Sequence, residues 1–163
     1  MKPGKLLAAV GVLGLACALP GVAFSQSLAS AIVGTWMLTS VADRYDSGQS
    51  VNHWGTVKGT LMFDAGGRFS QIIIGEAQPA LKSPDPRKPD APVVAYYGTY
   101  TVNETTKTVS LTLEAASFSP RVGTGQSVVI DIKGDAMTLV GSPRQDQVGT
   151  FRPHLELKRA PRL

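Results

Sequence analysis

The feature that most constrains the fold is an alternation of apolar and polar residues along segments separated by short turns. In residues 108–114, Val109, Leu111 and Leu113 alternate with polar side chains, and residues 127–133 repeat the pattern. Such alternation is typical of antiparallel strands with one buried face and one face in water. No stretch after residue 25 shows a helical stripe of apolar residues, so this part of the chain is predicted to be all-β.

The turn residues between these segments predict how the strands connect. Two of the predicted hairpin turns are "DAGG" and "NETTK", and a third is the two-residue turn Gly134 and Asp135. Three hairpins in sequence order indicate a meander. The predicted strands span residues 34–43, 57–64, 67–75, 94–102, 107–115, 126–133, 136–142 and 153–159.

An antiparallel sheet of this size leaves two open edges unless it closes on itself. The predicted fold is therefore all-β, a single eight-stranded antiparallel up-and-down barrel. The interior of such a barrel is either filled by side chains or holds one small ligand. Aromatic residues of the predicted strands and loops suit a pocket for an apolar molecule, although they can equally fill the core. The candidate ligand-binding residues are Phe63, Phe69, Tyr96, Tyr100 and Phe118.

Residues 1–25 have the three parts of a secretory signal: Lys2 and Lys5, an apolar run, and small residues before the expected cut. The apolar run is too short to span a bilayer comfortably, and no later segment is predicted to be a transmembrane helix. The expected product is a domain of residues 26–163, exported to the periplasm or secreted.

The cysteine content and the net charge limit how the fold can be stabilised and which partners the protein can bind. Cys17 is the only cysteine, and its lipidation is a minor alternative to ordinary cleavage. After ordinary cleavage no disulfide is available, so a hydrophobic core must stabilise the fold. Loss of Lys2 and Lys5 lowers the net charge from +4 to +2. Because the remaining basic residues are scattered, no nucleic-acid partner is expected.

The histidine, serine and acidic residues show no recognisable pattern of a metal site or an active site. His53 and His154 are the only histidines, and neither has further ligands at metal-binding spacing, so no metal or cofactor is expected. No Gly-x-Ser-x-Gly nucleophile motif occurs. Asp131 and Glu114 are conceivable as a carboxylate pair, but the alternation places both on the polar faces of their strands. No catalytic residue is predicted.

One segment interrupts the regular pattern of strands and turns. Residues 76–93 are rich in proline, which prevents regular strand pairing and predicts a long extended loop. This loop is either a lid or binding loop or a solvated connector.

The strand order and several motifs resemble the lipocalin-like domain family of small bacterial and fungal proteins. The motifs are "GTWMLTSVADR", "GTLMFDAGGRFSQIII", "YYGTYTVNETTKTVSLTLE", "GDAMTLVG" and the closing "LELKR". The resemblance implies a lipocalin-type barrel in which Trp36 packs across the closed end beneath a basic residue, best matched by Arg159. It also indicates a departure. Relatives carry a His in the fifth strand and an Arg near the start of the sixth, where this chain has Leu111 and the pair Gln126 and Ser127.

These observations favour an exported protein that binds a small hydrophobic molecule inside the barrel, rather than an enzyme. Two alternatives stay open. The first is a cyclase or isomerase acting on an apolar substrate, which requires an acid or base inside the barrel. The second is an envelope structural or interaction protein with a filled core. The sequence does not predict the ligand or the oligomeric state.

Overall fold

A computed structural model describes residues 26–78, 80 and 82–161 of the chain. The predicted leader, with Cys17, lies outside the described residues. Within the described part, no helix is long and apolar enough to cross a membrane.

The described residues form one short helix and a series of strands. The helix is α1 (Leu28–Ile32), and a 3-10 turn covers Ser119–Arg121. The strands are β1 (Gly34–Tyr45), β2 (Ser50–Val51), β3 (Lys58–Phe63), β4 (Arg68–Ile74), β5 (Val93–Asn103), β6 (Thr108–Ala116), β7 (Gly125–Lys133), β8 (Ala136–Gly141), β9 (Arg144–Gln145) and β10 (Thr150–Arg159).

The long strands pair antiparallel in the order β1, β3, β4, β5, β6, β7, β8 and β10, and β10 pairs back with β1. This closure confirms the predicted eight-stranded up-and-down barrel. The sequence pattern did not predict the two-residue strands β2 and β9. They pair with β1 and β10, respectively, at one end of the barrel. Strand β10 also begins at Thr150, earlier than predicted. Phe151 there pairs with Tyr45, and their ring centroids lie 5.4 Å apart.

The two ends of the barrel differ in their connections. One end carries the tight hairpin turns 64–67, 104–107 and 134–135, while the other carries the longer connections 46–57, 75–92, 117–124 and 142–149. The long connections leave their end of the barrel open. The helix α1 covers the opposite end.

The inward faces of the strands pack into one hydrophobic core towards the closed end. Its largest fully buried side chains are Trp36, Ile32, Leu61, Leu111, Leu113, Ile130, Met137 and Val109. This core follows from the period-two alternation, because residues two apart along a strand point to the same side. The core therefore fills the part of the barrel interior next to the closed end, which is called the lower part below. The part next to the open end is the upper part.

The helix α1 and Trp36 form the closed end together. The Trp36 side chain is fully buried, and its Nε1 donates a hydrogen bond of 2.9 Å to the carbonyl oxygen of Ile32. The Cζ of Arg159 lies 4.1 Å from the centroid of the Trp36 ring. Its guanidinium also donates to the carbonyl oxygens of Val33 and Ala31, at 3.1 and 2.8 Å. The arginine thus satisfies carbonyls at the end of α1 and covers the indole at once.

A bulge between β5 and β6 determines which side chains face the open end. The pairing shifts register between Tyr97 and Gly98, so that Tyr97 lies opposite Ala115 and Gly98 opposite Leu113. A Cβ at Gly98 would overlap the carbonyl oxygen of Thr112, so only glycine fits this close approach of the strands. Beyond the bulge, β6 directs Ala116 into the barrel.

Candidate functional site

A cavity of about 250 Å³ opens at the end of the barrel opposite Trp36. Strands β1, β4, β5, β6 and β10 supply its walls, and three of the long connections supply its rim. The lining residues are Val41, Asp43, Trp54, Gln71, Ile73, Val94, Tyr96, Ala116, Ser117, Phe118, Arg121, Arg144, Phe151, Pro153 and Leu155. The upper part of the barrel interior is therefore open, whereas the lower part is packed.

Most of the cavity wall is apolar. Val41, Ile73 and Leu155 project into it from the strands, and Trp54 covers one side from the connection between β1 and β3. Trp54 is held in place by its backbone: its N–H donates to Asn52 Oδ1 at 2.8 Å, and its carbonyl accepts from Glu76 N at 2.8 Å. Such a surface favours an apolar ligand because it has few groups that can replace the hydrogen bonds of water.

Two uncharged polar side chains project into this apolar surface. Gln71, with 5% of its surface exposed, is the one polar residue among the buried side chains of the described chain. Tyr96 lines the cavity beside it, and burial raises the pKa of Tyr96, against the opposing influence of Arg121 and Arg144. The tyrosine hydroxyl therefore stays protonated at neutral pH and is available to donate. An amide and a hydroxyl at the base of the cavity can orient a bound molecule.

Charged side chains surround the mouth of the cavity. Arg121 and Arg144 come from the connections that follow β6 and β8. Burial, together with the neighbouring Arg121, lowers the pKa of Arg144, although a guanidinium stays charged at neutral pH. Asp43 is the carboxylate in the wall. Burial raises the pKa of Asp43, and His53, whose Nε2 lies 3.9 Å from Asp43 Oδ2, opposes the change.

The structure places the five predicted aromatic residues at two levels. Tyr96 and Phe118 line the cavity, Tyr96 in its wall and Phe118, which is 58% exposed, at the rim. Phe63, Phe69 and Tyr100 lie nearer the closed end and are not among the lining residues. Phe63 and Tyr100 meet edge to face at 4.9 Å between ring centroids, and Phe69 packs against Tyr96 at 6.1 Å. Tyr96 and Phe118 are therefore placed where they could contact a ligand in the cavity. Ligand binding by the five residues stays a prediction.

Several lining residues escaped the sequence analysis. Gln71 gave a readable signal, because it interrupts the apolar alternation of Phe69 and Ile73 on the inward face of β4. Trp54, Arg121 and Arg144 lie in loops or at the end of a short strand, where no periodicity indicates which way a side chain points. Their position depends on how the loops fold over the mouth.

Other polar groups considered from the sequence lie away from the cavity. Glu114 pairs with Arg68 at 2.7 Å and Asp131 pairs with Lys133 at 3.0 Å, on the outer surface. Across the described residues, no three His, Cys, Asp or Glu side chains cluster as a metal site would require. In the proline-rich loop, the described residues 76–78, 80 and 82–93 are not among those lining the cavity. This loop instead packs beside Trp54, through the hydrogen bond from Glu76.

A closed antiparallel barrel with a packed lower half and a cavity at one end defines the architectural class of small up-and-down barrels. A family profile described as a lipocalin-like domain matches residues 33–159. The chain belongs to this lipocalin-like domain family. Neither the curated proteins nor the solved structures gave a significant match.

The departure noted for the family resemblance falls on one cross-strand pair. Leu111 of β6 lies opposite Gln126 of β7. Leu111 is 2% exposed and belongs to the core, so an apolar contact occupies that side of the pair. Neither Leu111 nor Gln126 carries a charged or ionisable group.

Proposed function

We propose that the protein is an exported carrier that binds a small, mainly apolar molecule in the cavity at the open end of the barrel. The observation that carries the proposal is the contrast within one barrel interior. The lower part is closed by packed side chains, whereas the upper part keeps about 250 Å³ free beneath a rim of loops. Unfilled apolar space costs stability, so a cavity of this size is best explained by a ligand.

The cavity volume limits the size of the ligand. An apolar cavity of roughly 150 Å³ holds benzene, so by proportion this cavity encloses about ten non-hydrogen atoms. A larger molecule would extend through the mouth. Export of the carrier is supported by the signal-like leader in residues 1–25.

Binding is tested with 1-aminonaphthalene, a neutral dye that is close in size to the cavity and whose fluorescence changes in apolar surroundings. The decisive variant is Ala116→Phe, because Ala116 lines the cavity and a phenyl ring there would occupy much of its volume. The matched control is Ala115→Phe, since Ala115 lies opposite the exposed Tyr97 on the outer face. The same substitution is thereby made on adjacent residues that face opposite sides of the wall.

We expect the wild-type protein and Ala115→Phe to bind the dye with similar affinity, and Ala116→Phe to weaken binding about tenfold or more. Circular dichroism checks that both variants are folded. Folded wild-type protein that binds no dye, or equal affinity of the two variants, would contradict the proposal.

Acid–base catalysis on the bound molecule is a second candidate function. Asp43 favours it, because this carboxylate lines the cavity and burial raises its pKa. A carboxyl group with a raised pKa beside a histidine is a candidate to exchange a proton with a substrate. Tyr96 is a further proton donor in the same wall.

A further inference from the structure

We propose that the ligand carries a carboxylate, held at the mouth of the cavity by Arg121 and Arg144 while its apolar part lies inside. This inference rests on the proposed function, and it adds the chemical class of the ligand. The preferred ligand is then a small amphiphile, such as a medium-chain fatty acid or an aryl carboxylic acid.

The first argument is the ion pairing of the arginines. Most arginines in the described part of the chain lie within 4.0 Å of a carboxylate oxygen: Arg44, Arg68, Arg87, Arg152 and Arg159. Arg121 and Arg144 have no such partner among the described residues, and their side chains form no hydrogen bond there. These two are also the arginines that line the cavity. Among the described residues, the two guanidinium groups without a carboxylate partner are thus the two that line the cavity.

The second argument is the chemistry of the guanidinium group. Each guanidinium presents a planar set of N–H donors that matches the two oxygens of a carboxylate. Arg144 is exposed at the mouth of the cavity and stands close enough to Arg121 for the two charges to affect each other. Bringing two like charges together is unfavourable, and a bound anion would relieve the repulsion.

The acidic residues nearby do not supply that anion. Asp146 Oδ2 accepts from the Tyr45 hydroxyl at 2.7 Å, and Oδ1 accepts from the backbone N–H groups of Val148 and Gly149. Asp43 has His53 as its nearest basic partner, at 3.9 Å. Asp146 is therefore engaged elsewhere. Asp43 is close enough to Arg144 for each to favour the charged form of the other, but no Asp43 oxygen lies within 4.0 Å of either guanidinium, so the guanidinium donors are free for a ligand.

A third unpaired donor lies beside the arginines. The side-chain Nε2 of Gln126 is buried and has no hydrogen-bond partner among the described residues. A groove just outside the cavity is lined by Gln126 together with Arg121, Arg144 and Phe118. A buried donor without a partner is costly, so turning the Gln126 amide towards a ligand oxygen in this groove would remove that cost.

The experiment compares three probes that share a ten-carbon chain: decanoate, decanol and decyltrimethylammonium. Binding of each is measured at neutral pH by isothermal titration calorimetry, below the concentration at which it forms micelles. The test variant is the double substitution Arg121→Gln and Arg144→Gln. The control is Arg152→Gln, because Arg152 is at the same end of the barrel but pairs with Asp46 on the outside, at 3.1 Å.

We expect the wild-type protein to bind decanoate about tenfold or more tightly than decanol, from charge-assisted hydrogen bonds. The double variant should lose this preference and keep its affinity for decanol, whereas Arg152→Gln should keep the preference. Equal affinity of the wild type for decanoate and decanol would overturn the inference and leave the proposed function intact. Tightest binding of the cationic probe would overturn it as well. Failure of all three probes to bind would refute the proposed function itself.

Discussion

Replacement of Trp36 by alanine tests whether this residue closes the barrel or binds the ligand. The Trp36 side chain has no exposed surface. A buried aromatic side chain removes about 150–250 Å² from water, and at roughly 25 cal/mol per Å² this corresponds to about 4–6 kcal/mol. Part of that surface is already buried in the unfolded chain, and the methyl group of alanine retains a little more.

The hydrogen bond and the arginine add smaller contributions. The substitution leaves the Ile32 carbonyl without its 2.9 Å partner and removes the ring beneath Arg159. We therefore expect the free energy of unfolding to fall by about 3–5 kcal/mol, the range for buried aromatic residues. Trp36→Phe keeps most of the ring but lacks the N–H donor, and it should cost about 1–2 kcal/mol.

The measurement is equilibrium unfolding in urea followed by far-ultraviolet circular dichroism, with dye affinity determined on the folded fraction. Trp54→Ala is the matched control, since Trp54 is the other tryptophan of the chain and lines the cavity. We expect the Trp36 variants to lose stability with little change in dye affinity, and Trp54→Ala to lose affinity with a smaller loss of stability. Loss of dye affinity in Trp36→Ala at unchanged stability would refute the assignment of Trp36 to the closed end.

The other two predictions concern ionisable groups at the open end. The hydrogen bond from Tyr45, with smaller contributions from backbone N–H groups, lowers the pKa of Asp146 below its ordinary value of 3.8. A carboxyl whose pKa is lower in the folded than in the unfolded state contributes its full stabilisation above the unfolded-state pKa. It loses this contribution as the pH falls through the folded-state pKa. The difference in Tm between wild type and Asp146→Asn should therefore be largest above about pH 5 and shrink on acidification; a difference that grows on acidification would contradict this. If the protein is also a catalyst, incubation with a small-molecule extract of the producing cells should yield a new product by mass spectrometry. Asp43→Asn should then abolish that product and still bind the neutral dye, and an unchanged extract would argue against catalysis.

The sequence by itself determined the eight long strands and the way they connect. Backbone geometry imposes a period of two on any strand, so residues such as Val109, Leu111 and Leu113 reveal their common face without knowledge of their partners. Short turns leave little choice of partner, which is why the hairpin at Gly134 fixes the pairing of β7 with β8. Closure followed from the cost of open edges. Each of these properties depends on a few neighbouring residues.

The helix α1 shows where local patterns stop being informative. Five residues are too few for a helical stripe to stand out, and isolated helices of this length are not stable. The helix forms because Leu28 and Ile32 pack on the core and the Glu104 carboxylate accepts from the N–H groups of Leu28 and Ala29, at 2.9 and 2.7 Å. These contacts join parts of the chain more than seventy residues apart.

The cavity and its charged mouth were decided only by the tertiary structure. The sequence predicted Tyr96 because strand alternation indicated its face. It predicted Phe118 because this aromatic residue lies in a segment next to the predicted strands. It gave no reason to single out Arg121 and Arg144, since no period governs loop side chains. What leaves these two guanidinium groups together and without a carboxylate is the folding of two separate connections over one opening. Local backbone geometry is encoded within a few residues, whereas the shape and charge of a cavity depend on contacts made by the whole closed barrel.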